Sequence, residues 1–336
     1  MRVAVFNGAG NPITIEDMED DPLGPGEVRL EIGRCGVCGS DISFTSGTAF
    51  DYATGSRMGH ESAGTVIEVG PDVAALKLGD RVSVLPRGYC GECTSCRMGR
   101  PLFCETGPAH MGGFGERMVI TEQAGFRFPD SVSMAEGALV EPIACGRRAF
   151  RMGRLQKGDS VLIIGAGSMG LAAVYWARQL GAGRIVVATR TRARHEIALA
   201  MGADAAVVMS QDDPDALKRA LPTPPDLVVE ATGKVGMLQL AAGNVRTGGG
   251  VVSLGMCVHA DPVIPAMNAF QEISMFFPVA YAPEDFEATI RAFDAGTIRP
   301  GAMVSETADL DRLPTLIEEM RGPSNHLKVQ IVPQAG

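Results

Sequence analysis

The sequence lacks a surplus of positive charge, an uninterrupted hydrophobic span, and any internal repeat or low-complexity tract. With 30 Lys and Arg against 39 Asp and Glu, the formal net charge is −9. This charge argues against a general nucleic-acid-binding protein, because there is no basic surplus to neutralise phosphates. The N-terminal residues also lack the apolar core and cleavage pattern of a signal peptide. Together these absences predict a cytoplasmic protein that does not bind nucleic acid.

One segment resembles a membrane span, since residues 160–177 ("SVLIIGAGSMGLAAVYWA") carry no charge. Its centre is interrupted by "GAGSMG", and a strand, a turn and a helix account for it better than a span. We therefore expect no membrane association. In the cytoplasm thiols stay reduced, so clustered cysteines indicate a metal site or catalysis more than disulfides.

The 336 residues are enough for two domains, and the sequence pattern changes along the chain. The first ~140 residues are rich in Gly and Pro and contain short β-branched runs such as "EVRLEIG" and "AGTVIEVG", typical of a mostly-β domain. From about residue 161, the apolar runs "VLIIG", "RIVVAT", "AAVVM", "DLVVEAT" and "GVVSLG" alternate with helix-like segments. This alternation predicts an α/β domain with a doubly wound parallel sheet covered on both faces.

Four cysteines stand within residues 90–104 ("CGECTSCRMGRPLFC"), spaced C-x2-C-x2-C-x7-C. The intervening Gly, Pro, Ser and Thr are typical of a loop, which can bring four thiolates around a tetrahedral zinc. The spacing differs from the bacterial ferredoxin pattern, so an iron–sulfur cluster and unrelated free thiols are the lesser alternatives. Four thiolates leave no open position for substrate, so this zinc is expected to be structural.

A second possible metal site is dispersed over "CGVCGSD", "GHESAG" and "VEPIACG". It combines a thiolate, Cys38, an imidazole, His60, and two carboxylates, Glu61 and Glu141. Mixed ligands from separate segments suit a catalytic zinc that keeps one position for substrate. The residues alone leave this open, because a lone Cys is more often a core residue and a lone His a structural one.

A glycine motif, G-x-G-x-x-G at Gly165, Gly167 and Gly170, follows an apolar strand and opens a predicted helix. This is the context in which the motif binds a dinucleotide, with the pyrophosphate at the helix N-terminus.

The end of the second strand of this domain, "RIVVATRTRAR", indicates which nicotinamide cofactor is used. NAD sites place an acidic side chain there, whereas NADP sites have neutral and basic groups for the 2′-phosphate. Here Thr189 and Arg190 occupy the position, with Arg192 and Arg194 beyond. Because Arg offers a planar fork that matches phosphate, the sequence favours NADP, with an ordinary basic helix start as the alternative.

These motifs, in this order, resemble the zinc-dependent medium-chain alcohol dehydrogenases, and within them the sorbitol and threonine dehydrogenase branch. The resemblance covers nearly the whole chain, from "GEVRLEIGRCGVCGSD" to "YAPEDFEATIRAFDAGTI". It implies a GroES-like catalytic domain over residues 1–141, with a structural-zinc lobe at about 86–106. It also implies a Rossmann domain over 142–284 and a segment, 285–336, that returns to the catalytic domain, with the active site in the cleft between the domains.

The resemblance also implies roles for individual residues and two zinc ions per chain. Cys38 and His60 correspond to ligands of the catalytic zinc, and Glu61 and Glu141 to carboxylates that ligate it directly or through water. Asp41 corresponds to the group that orients the histidine, and Ser40 to the hydroxyl that binds the alcohol and starts the proton relay. The positions expected to contact the cofactor, besides Thr189, are Gly165, Gly167, Ser168, Met169, Gly170, Arg190, Arg194, Leu254, Gly255, Met256 and Val279.

One departure from the family pattern concerns the proton relay. Many members carry a His shortly after the zinc cysteine, but "CGSDIS" places Ser43 there, and a Ser cannot hold a proton near neutral pH. His110 is a less favoured substitute. The remaining thiols, Cys35, Cys145 and Cys257, are interpreted as core or near-core residues, with Cys145 as a minor alternative to Glu141.

The predicted activity is reversible hydride transfer between a secondary alcohol, or its ketone, and NADP(H). A polyol dehydrogenase of the same family is the first alternative, and a catalytically silent NADPH-binding zinc scaffold or sensor is another. A zinc-free quinone reductase is a third. Candidate apolar pocket walls, each equally compatible with core packing, are Phe44, Phe50, Met111, Phe114 and Phe270. The resemblance further implies a homodimer or homotetramer formed through the Rossmann sheet edge.

Overall fold

The computed structural model of the chain describes residues 1–47, 53–210, 212–213, 215–322 and 325–334. Its strands are β1 Arg2–Val5, β2 Thr14–Asp17, β3 Glu27–Gly36, β4 Glu61–Val69, β5 Arg81–Val84, β6 Arg117–Thr121, β7 Gly125–Arg127, β8 Ser160–Ile164, β9 Arg184–Thr189, β10 Ala205–Val208, β11 Leu227–Glu230, β12 Gly250–Ser253, β13 Ser274–Phe276, β14 Val304–Asp309 and β15 Lys328–Val332. Its helices are α1 Gly39–Phe44, α2 Thr94–Arg97, α3 Met134–Gly137, α4 Val140–Gly153, α5 Ser168–Gln179, α6 His195–Ala200, α7 Ala216–Ala220, α8 Met237–Ala242, α9 Pro265–Phe270, α10 Pro283–Ala295 and α11 Leu313–Arg321.

The chain forms two compact units. The first contains Met1–Glu141, Ala282–Asp294 and Val304–Gly336, and the second contains Pro142–Tyr281 and Ala295–Met303. The segment 295–303, which the sequence interpretation assigned to the C-terminal return, therefore lies in the second unit. The predicted domain boundaries themselves remain predictions.

The second unit contains a six-stranded sheet in the order β10-β9-β8-β11-β12-β13. All five pairings are parallel. Numbered from β8, this is the order 3-2-1-4-5-6 of dinucleotide-binding folds, in which the order reverses between the first and fourth strands. The apolar runs predicted as buried strands form β8, β9, β10, β11 and β12, and helices pack on the sheet. The predicted α/β class is confirmed.

One hydrophobic cluster of the second unit lies between the sheet and helices α7 and α8. Its strand residues come from four neighbouring strands and are almost fully buried: Leu162, Ile164, Val186, Ala188, Val228 and Val251. Helix α5 packs against β8, β9 and β11 and buries its middle turns. Continuous β-branched runs suit such strands, because both faces of the sheet are removed from water.

The first unit is built on a mixed sheet in the order β14-β15-β3-β4-β5-β7, with β6 pairing to β3. Strand β3 is ten residues long and buries Val28, Leu30 and Ile32 completely. It pairs antiparallel with β4, β6 and β15, so it joins strands from the first half of the chain to the C-terminal strand β15. Strands β1 and β2 form a separate two-stranded antiparallel sheet. This central strand leads directly into the segment that contains Cys38.

Among the described residues, no helix is both long and apolar enough to cross a bilayer. The uncharged stretch that resembles a span instead forms strand β8, the glycine turn and helix α5.

Candidate functional site

Strand pairing brings the first two predicted zinc ligands together. Strand β3 ends at Gly36, and Cys38 follows as the N-cap of helix α1 with extended φ −101° and ψ 154°. Strand β4 begins at Glu61, directly after His60, and Gly36 lies opposite Glu61 in the β3–β4 register. A Cβ on Gly36 would lie 2.1 Å from Glu61 Oε2, so only glycine leaves room for this carboxylate. The pairing of β3 with β4 thus brings together Cys38 and His60, which are over twenty positions apart in sequence.

The side chains of Cys38, His60 and Glu61 form one candidate metal-binding group. One ligand atom from each lies within 4.8 Å of the others. Cys38 and His60 are half-buried, and Glu61 is fully buried. A thiol, an imidazole and a carboxylate at this spacing are the donor types that zinc binds in catalytic sites.

The imidazole of His60 is held from both of its nitrogens. Asp41, completely buried, places Oδ1 3.4 Å from His60 Nδ1, and its Oδ2 accepts the backbone N–H of Cys38 at 2.9 Å. Ser40 Oγ lies 3.4 Å from His60 Nε2. Burial by itself lowers the pKa of His60, but the Asp41 carboxylate and the Cys38 sulfur outweigh it, so the pKa is raised well above its ordinary value. Carboxylates paired with a metal-binding histidine commonly fix its ring orientation in this way.

Lys328, at the start of β15, is a site residue that the sequence interpretation missed. Its Nζ donates to both carboxylate oxygens of Glu61, at 2.6 and 2.7 Å, and to the carbonyl of Val37 at 3.0 Å. Burial alone lowers the pKa of Lys328, but the Glu61 carboxylate raises it more, so the pKa lies above its usual range. No sequence pattern marks this lysine, because β15 brings it to Glu61 from 267 residues away.

Arg321 on α11 is a second missed residue, and it supports helix α1. Its guanidinium donates to the carbonyl of Ile42 at 2.7 Å and to Thr45 Oγ1 at 2.9 Å. These contacts satisfy acceptors at the C-terminal end of α1, where a cation is also favourable. Ser43, at the position of the expected relay histidine, donates from Oγ to the carbonyl of Ser40 at 3.3 Å.

Glu141 is not part of the group formed by Cys38, His60 and Glu61 within 4.8 Å. Its side chain is buried, and its charge is one of those that raise the pKa of Lys328. Cys145 is half-buried on α4 and is likewise outside that group. Cys35 is fully buried, and burial raises the pKa of its thiol well above the ordinary value, as expected for a core residue.

The four-cysteine lobe, residues 90–104, brings its thiols together without help from distant strands. The four sulfur atoms lie within 4.8 Å of one another. Cys90 Sγ is 3.9 Å from Cys96 Sγ, and Cys93 Sγ is 3.9 Å from Cys104 Sγ. All eight cysteines of the chain are described, and none forms a disulfide. The cluster fits a structural zinc bound by four thiolates.

Backbone N–H groups of the lobe point at its own sulfurs. Cys90 N donates to Cys104 Sγ at 3.2 Å, and Cys93 N donates to Cys90 Sγ at 3.3 Å. Burial raises the pKa of Cys104, but N–H donors of Cys90 and Thr106 lower it more, to about 6. These donors stabilise thiolate, the form that binds zinc.

The glycine motif of the second unit forms the turn between β8 and α5. Gly165 has φ +103°, and a Cβ on Gly170 would lie 2.0 Å from its carbonyl oxygen. Gly167 is the N-cap of α5, and a Cβ there would meet only Arg194 Nη1, at 3.8 Å. The space before the helix N-terminus is therefore open, as pyrophosphate binding at such a turn requires. Ser168 and Met169 follow in the first turn of α5 and are half-buried.

The end of β9 carries the residues expected to choose between NADP and NAD. Thr189 is half-buried and ends the strand, and Arg190 after it is exposed. Arg194 donates from Nη1 to the carbonyl of Ala166 at 3.4 Å, so its guanidinium lies against the glycine turn. Burial lowers the pKa of Arg194.

The remaining predicted cofactor positions lie at and beyond the end of β12. Leu254 is buried, and a Cβ on Gly255 would lie 2.1 Å from the backbone nitrogen of Gly233. Met256, with φ +50°, and Val279 are exposed and line one cavity of about 460 Å³. The structure thus gathers these two positions in one cavity.

The candidate pocket walls differ in exposure. Phe114 is fully buried, whereas Phe270 is 90% exposed. Phe44 and Met111 are half-buried, and Phe50 lies outside the described residues. His110 is buried with Nε2 3.1 Å from Thr121 Oγ1, and burial lowers its pKa to about 4. That pKa makes it neutral near pH 7.

Comparison with known proteins agrees with this geometry. Residues 24–130 match the alcohol dehydrogenase GroES-like domain family, and residues 168–295 match the zinc-binding dehydrogenase family. The sorbitol dehydrogenase of Bacillus subtilis is 30% identical over 345 residues, which cover 99% of this chain and 97% of the relative. The chain belongs to the zinc-dependent medium-chain dehydrogenase/reductase family, in its sorbitol dehydrogenase-like branch.

Two solved structures resemble this dehydrogenase over 99% of both chains, each at 26% identity and a TM-score of 0.90. One is a zinc-binding dehydrogenase from Sinorhizobium meliloti bound to NADP. The other, from Escherichia coli CFT073, is described as a short chain alcohol dehydrogenase and is in complex with NADH. Relatives of this fold thus bind either nicotinamide.

The residues present in this dehydrogenase fit the groups that its family implies. The four lobe thiols fit a structural zinc, and the donor set of Cys38, His60 and Glu61 fits a second, catalytic zinc. The open space before Gly167 fits a dinucleotide pyrophosphate. It is therefore a zinc-dependent alcohol or polyol dehydrogenase that uses a nicotinamide cofactor and a small-molecule substrate.

Proposed function

We propose that this enzyme catalyses reversible hydride transfer between a secondary alcohol, or its ketone, and NADP(H). The observation that carries this proposal is the position of Ser40 Oγ, 3.4 Å from Nε2 of His60, in the group with Cys38 and Glu61. A hydroxyl beside a metal-binding imidazole is suited to receive a proton from a substrate oxygen bound at the same point.

Cys38 and His60 would hold the catalytic zinc, with Glu61 or Glu141 ligating directly or through water. The ion supplies a Lewis acid that polarises an alcohol or carbonyl oxygen. A bound nicotinamide cofactor would supply the group that accepts or donates the hydride. Ser40 would accept the proton of the substrate hydroxyl while it gives its own proton to bulk water. Asp41 keeps the His60 ring in its binding orientation.

Lys328 gives Glu61 a defined position in this proposal. Both carboxylate oxygens of Glu61 accept from its Nζ, so the carboxylate is held in one orientation next to His60. A buried carboxylate needs such a counter-charge, because removing it from water without a partner is costly.

The preference for NADP(H) is supported by the end of β9. Thr189 and Arg190 stand where an NAD-binding site has an acidic side chain, and Arg194 lies against the glycine turn. An acidic residue there would repel the 2′-phosphate, whereas Arg binds it by charge and by paired N–H donors.

A polyol is the second candidate substrate, because the sorbitol dehydrogenase of Bacillus subtilis resembles this chain over nearly its whole length. Polyols require several polar partners, whereas a simple ketone requires few. An assay of secondary alcohols, their ketones and sugar alcohols distinguishes the two candidate substrate classes. Each assay is run with NADP(H) and with NAD(H), so it also distinguishes the two cofactors.

The Ser40→Ala variant tests the relay. Its kcat/KM is expected to fall by about 10²–10⁴, with two zinc ions per chain retained, because a positioned acid–base group contributes on that order. Unchanged turnover in this variant, or no turnover of any alcohol or carbonyl by the native enzyme, contradicts the proposal.

We also infer a homodimer or homotetramer formed through the outer edge of the second unit's sheet. Strand β13 is the last strand at that edge. Residues 256–279, which include β13, carry these exposed apolar side chains: Met256, Ile264, Met267, Phe270, Phe277 and Val279. A surface of this kind is typical of protein interfaces. Light scattering is expected to give a dimer or tetramer for the native chain and a smaller species for Phe270→Asp.

A further inference from the structure

The loop after β9 contains a histidine that the roles described above do not use. His195 begins helix α6, and its Nε2 lies 2.8 Å from Oγ1 of Thr189. Thr189 Oγ1 also lies 2.8 Å from the carbonyl of Thr191 and 3.3 Å from that of Val207. One hydroxyl thus joins the strand end, the loop and the imidazole.

The hydrogen bonds of the Thr189 hydroxyl indicate which group donates in its contact with His195. A threonine hydroxyl has one proton, and its nearest carbonyl, that of Thr191, can only accept. The hydroxyl therefore donates to Thr191, and Nε2 of His195 donates to the hydroxyl. Nδ1 is left as the atom that gains or loses a proton, so the ring can become a cation without breaking its bond to Thr189.

We propose that His195 is a specificity-determining residue of the 2′-phosphate subsite, where it adds a cation beside Thr189 when NADP(H) binds. This inference deepens the proposed NADP(H) preference and rests on it. The subsite combines Thr189, the Arg190 that follows it and Arg194 against the glycine turn, and His195 is the residue in this cluster that can change charge near neutral pH.

The surrounding charges favour a neutral ring in the absence of cofactor. Burial, and then the guanidinium of Arg192, lower the pKa of His195. Charged residues on or beside the elements that pack against α6 are Arg190, Arg192, Arg194, Glu196, Asp204 and Arg299, and Asp204 pairs with Arg178 at 2.6 Å. A bound phosphate dianion would reverse this balance and favour the protonated ring.

The proposal predicts the direction in which the affinity for NADPH changes with pH. Phosphate binding raises the pKa of His195 above its lowered value in the free protein. Between these two pKa values, binding of NADPH takes up a proton, so its affinity rises as the pH falls. NADH lacks the 2′-phosphate, and its affinity is expected to stay constant over the same range.

The test measures the dissociation constants of NADPH and NADH by nicotinamide fluorescence between pH 6 and 8, for the native enzyme and for His195→Gln. Glutamine keeps a donor for Thr189 but cannot carry the charge. The native preference for NADPH over NADH is expected to rise by roughly twofold to fivefold as the pH falls from 8 to 6, on the order of one partly exposed ion pair. In His195→Gln this rise is expected to disappear. Only the opposite and shallower effect of the phosphate's own pKa of about 6 should remain, because a protonated phosphate carries less charge.

Two further results distinguish this role from a structural one. Histidine NMR is expected to show the pKa of His195 rising with NADPH and not with NADH. If His195 only positions Thr189, the NADPH dissociation constant of Thr189→Val will differ from that of the native enzyme, whereas His195→Gln will match the native enzyme at every pH. That result would show that the proposal is wrong. A native enzyme that prefers NADH at all pH values refutes the proposed cofactor preference instead, and the effect of His195→Gln on NADPH binding still decides the role of His195.

Discussion

The four-cysteine lobe and the group of Cys38, His60 and Glu61 are both candidate zinc sites of the first unit, but they are built differently. The lobe takes its four thiols from residues 90–104 and supports them with its own backbone N–H groups. The other group takes ligands from two strand ends, and Asp41 and Lys328 hold its side chains. A contiguous loop can organise a structural ion by itself, whereas the second site depends on the sheet around it.

The largest expected effect comes from removing Cys38. Cys38→Ala should lose one of two zinc ions. It should also reduce kcat/KM by about 10³ or more, because a Lewis acid lowers the activation free energy by several kcal/mol. Metal analysis and steady-state kinetics measure both. The control Cys35→Ala removes a nearby buried thiol and should keep two zinc ions. Loss of a zinc ion in this control as well would contradict the assignment of Cys38 as a specific ligand.

Removing Lys328 tests whether the second site depends on a distant strand. Lys328→Met should lower the free energy of unfolding by about 3–5 kcal/mol, because the buried Glu61 carboxylate is left without its partner. Denaturant unfolding of the zinc-loaded protein measures this loss. The double variant with Glu61→Gln removes both charges and should recover part of the stability; no recovery would show that the pair is not the cause.

Removing a lobe thiol should affect stability more than chemistry. Cys104→Ser is expected to lose the other zinc ion and to lower the melting temperature by about 5 °C or more, since metal binding contributes directly to folding. Hydrogen exchange should increase chiefly within residues 90–104. The turnover of the folded fraction at 25 °C should stay within about threefold of native. A loss of turnover as severe as in Cys38→Ala would show that the two sites are not separate in function.

The smallest expected effect is that of Asp41→Asn. Asparagine keeps an acceptor for the N–H of Cys38 but removes the charge beside His60, so zinc affinity at this site should fall by about 10- to 100-fold. Competition with a chelator measures the affinity. Ser43→Ala, on the same helix, is the matched control and should leave zinc affinity unchanged.

The elements that could be predicted from sequence are those with strong local patterns. The apolar runs of β8, β9, β11 and β12 and the glycine turn were all recognisable, because a parallel strand buried on both faces needs continuous apolar residues. Strand β13 is only three residues long, and β14 ("VSETAD") alternates between half-buried and exposed positions without a clear apolar face. Neither strand contains an apolar pattern in its sequence that is clear enough to predict it.

The same contrast holds for the sites. The spacing of the four lobe cysteines indicates a metal site without any structure, and Cys38 and His60 were identified by their motif and its family resemblance. Lys328, Arg321 and His195 carry no such signal. Each acts through contacts that form only when the chain folds: Lys328 with Glu61, Arg321 with the end of α1, and His195 with Thr189.

The sequence by itself determined the α/β class, the four-thiol lobe, the glycine turn and the absence of an acidic residue after β9, because each follows from residues close together in the chain. Only the tertiary structure decided which cation holds Glu61 of the Cys38, His60 and Glu61 group. The physical reason is that a buried carboxylate needs a counter-charge, and this fold supplies it from a strand 267 residues further along the chain.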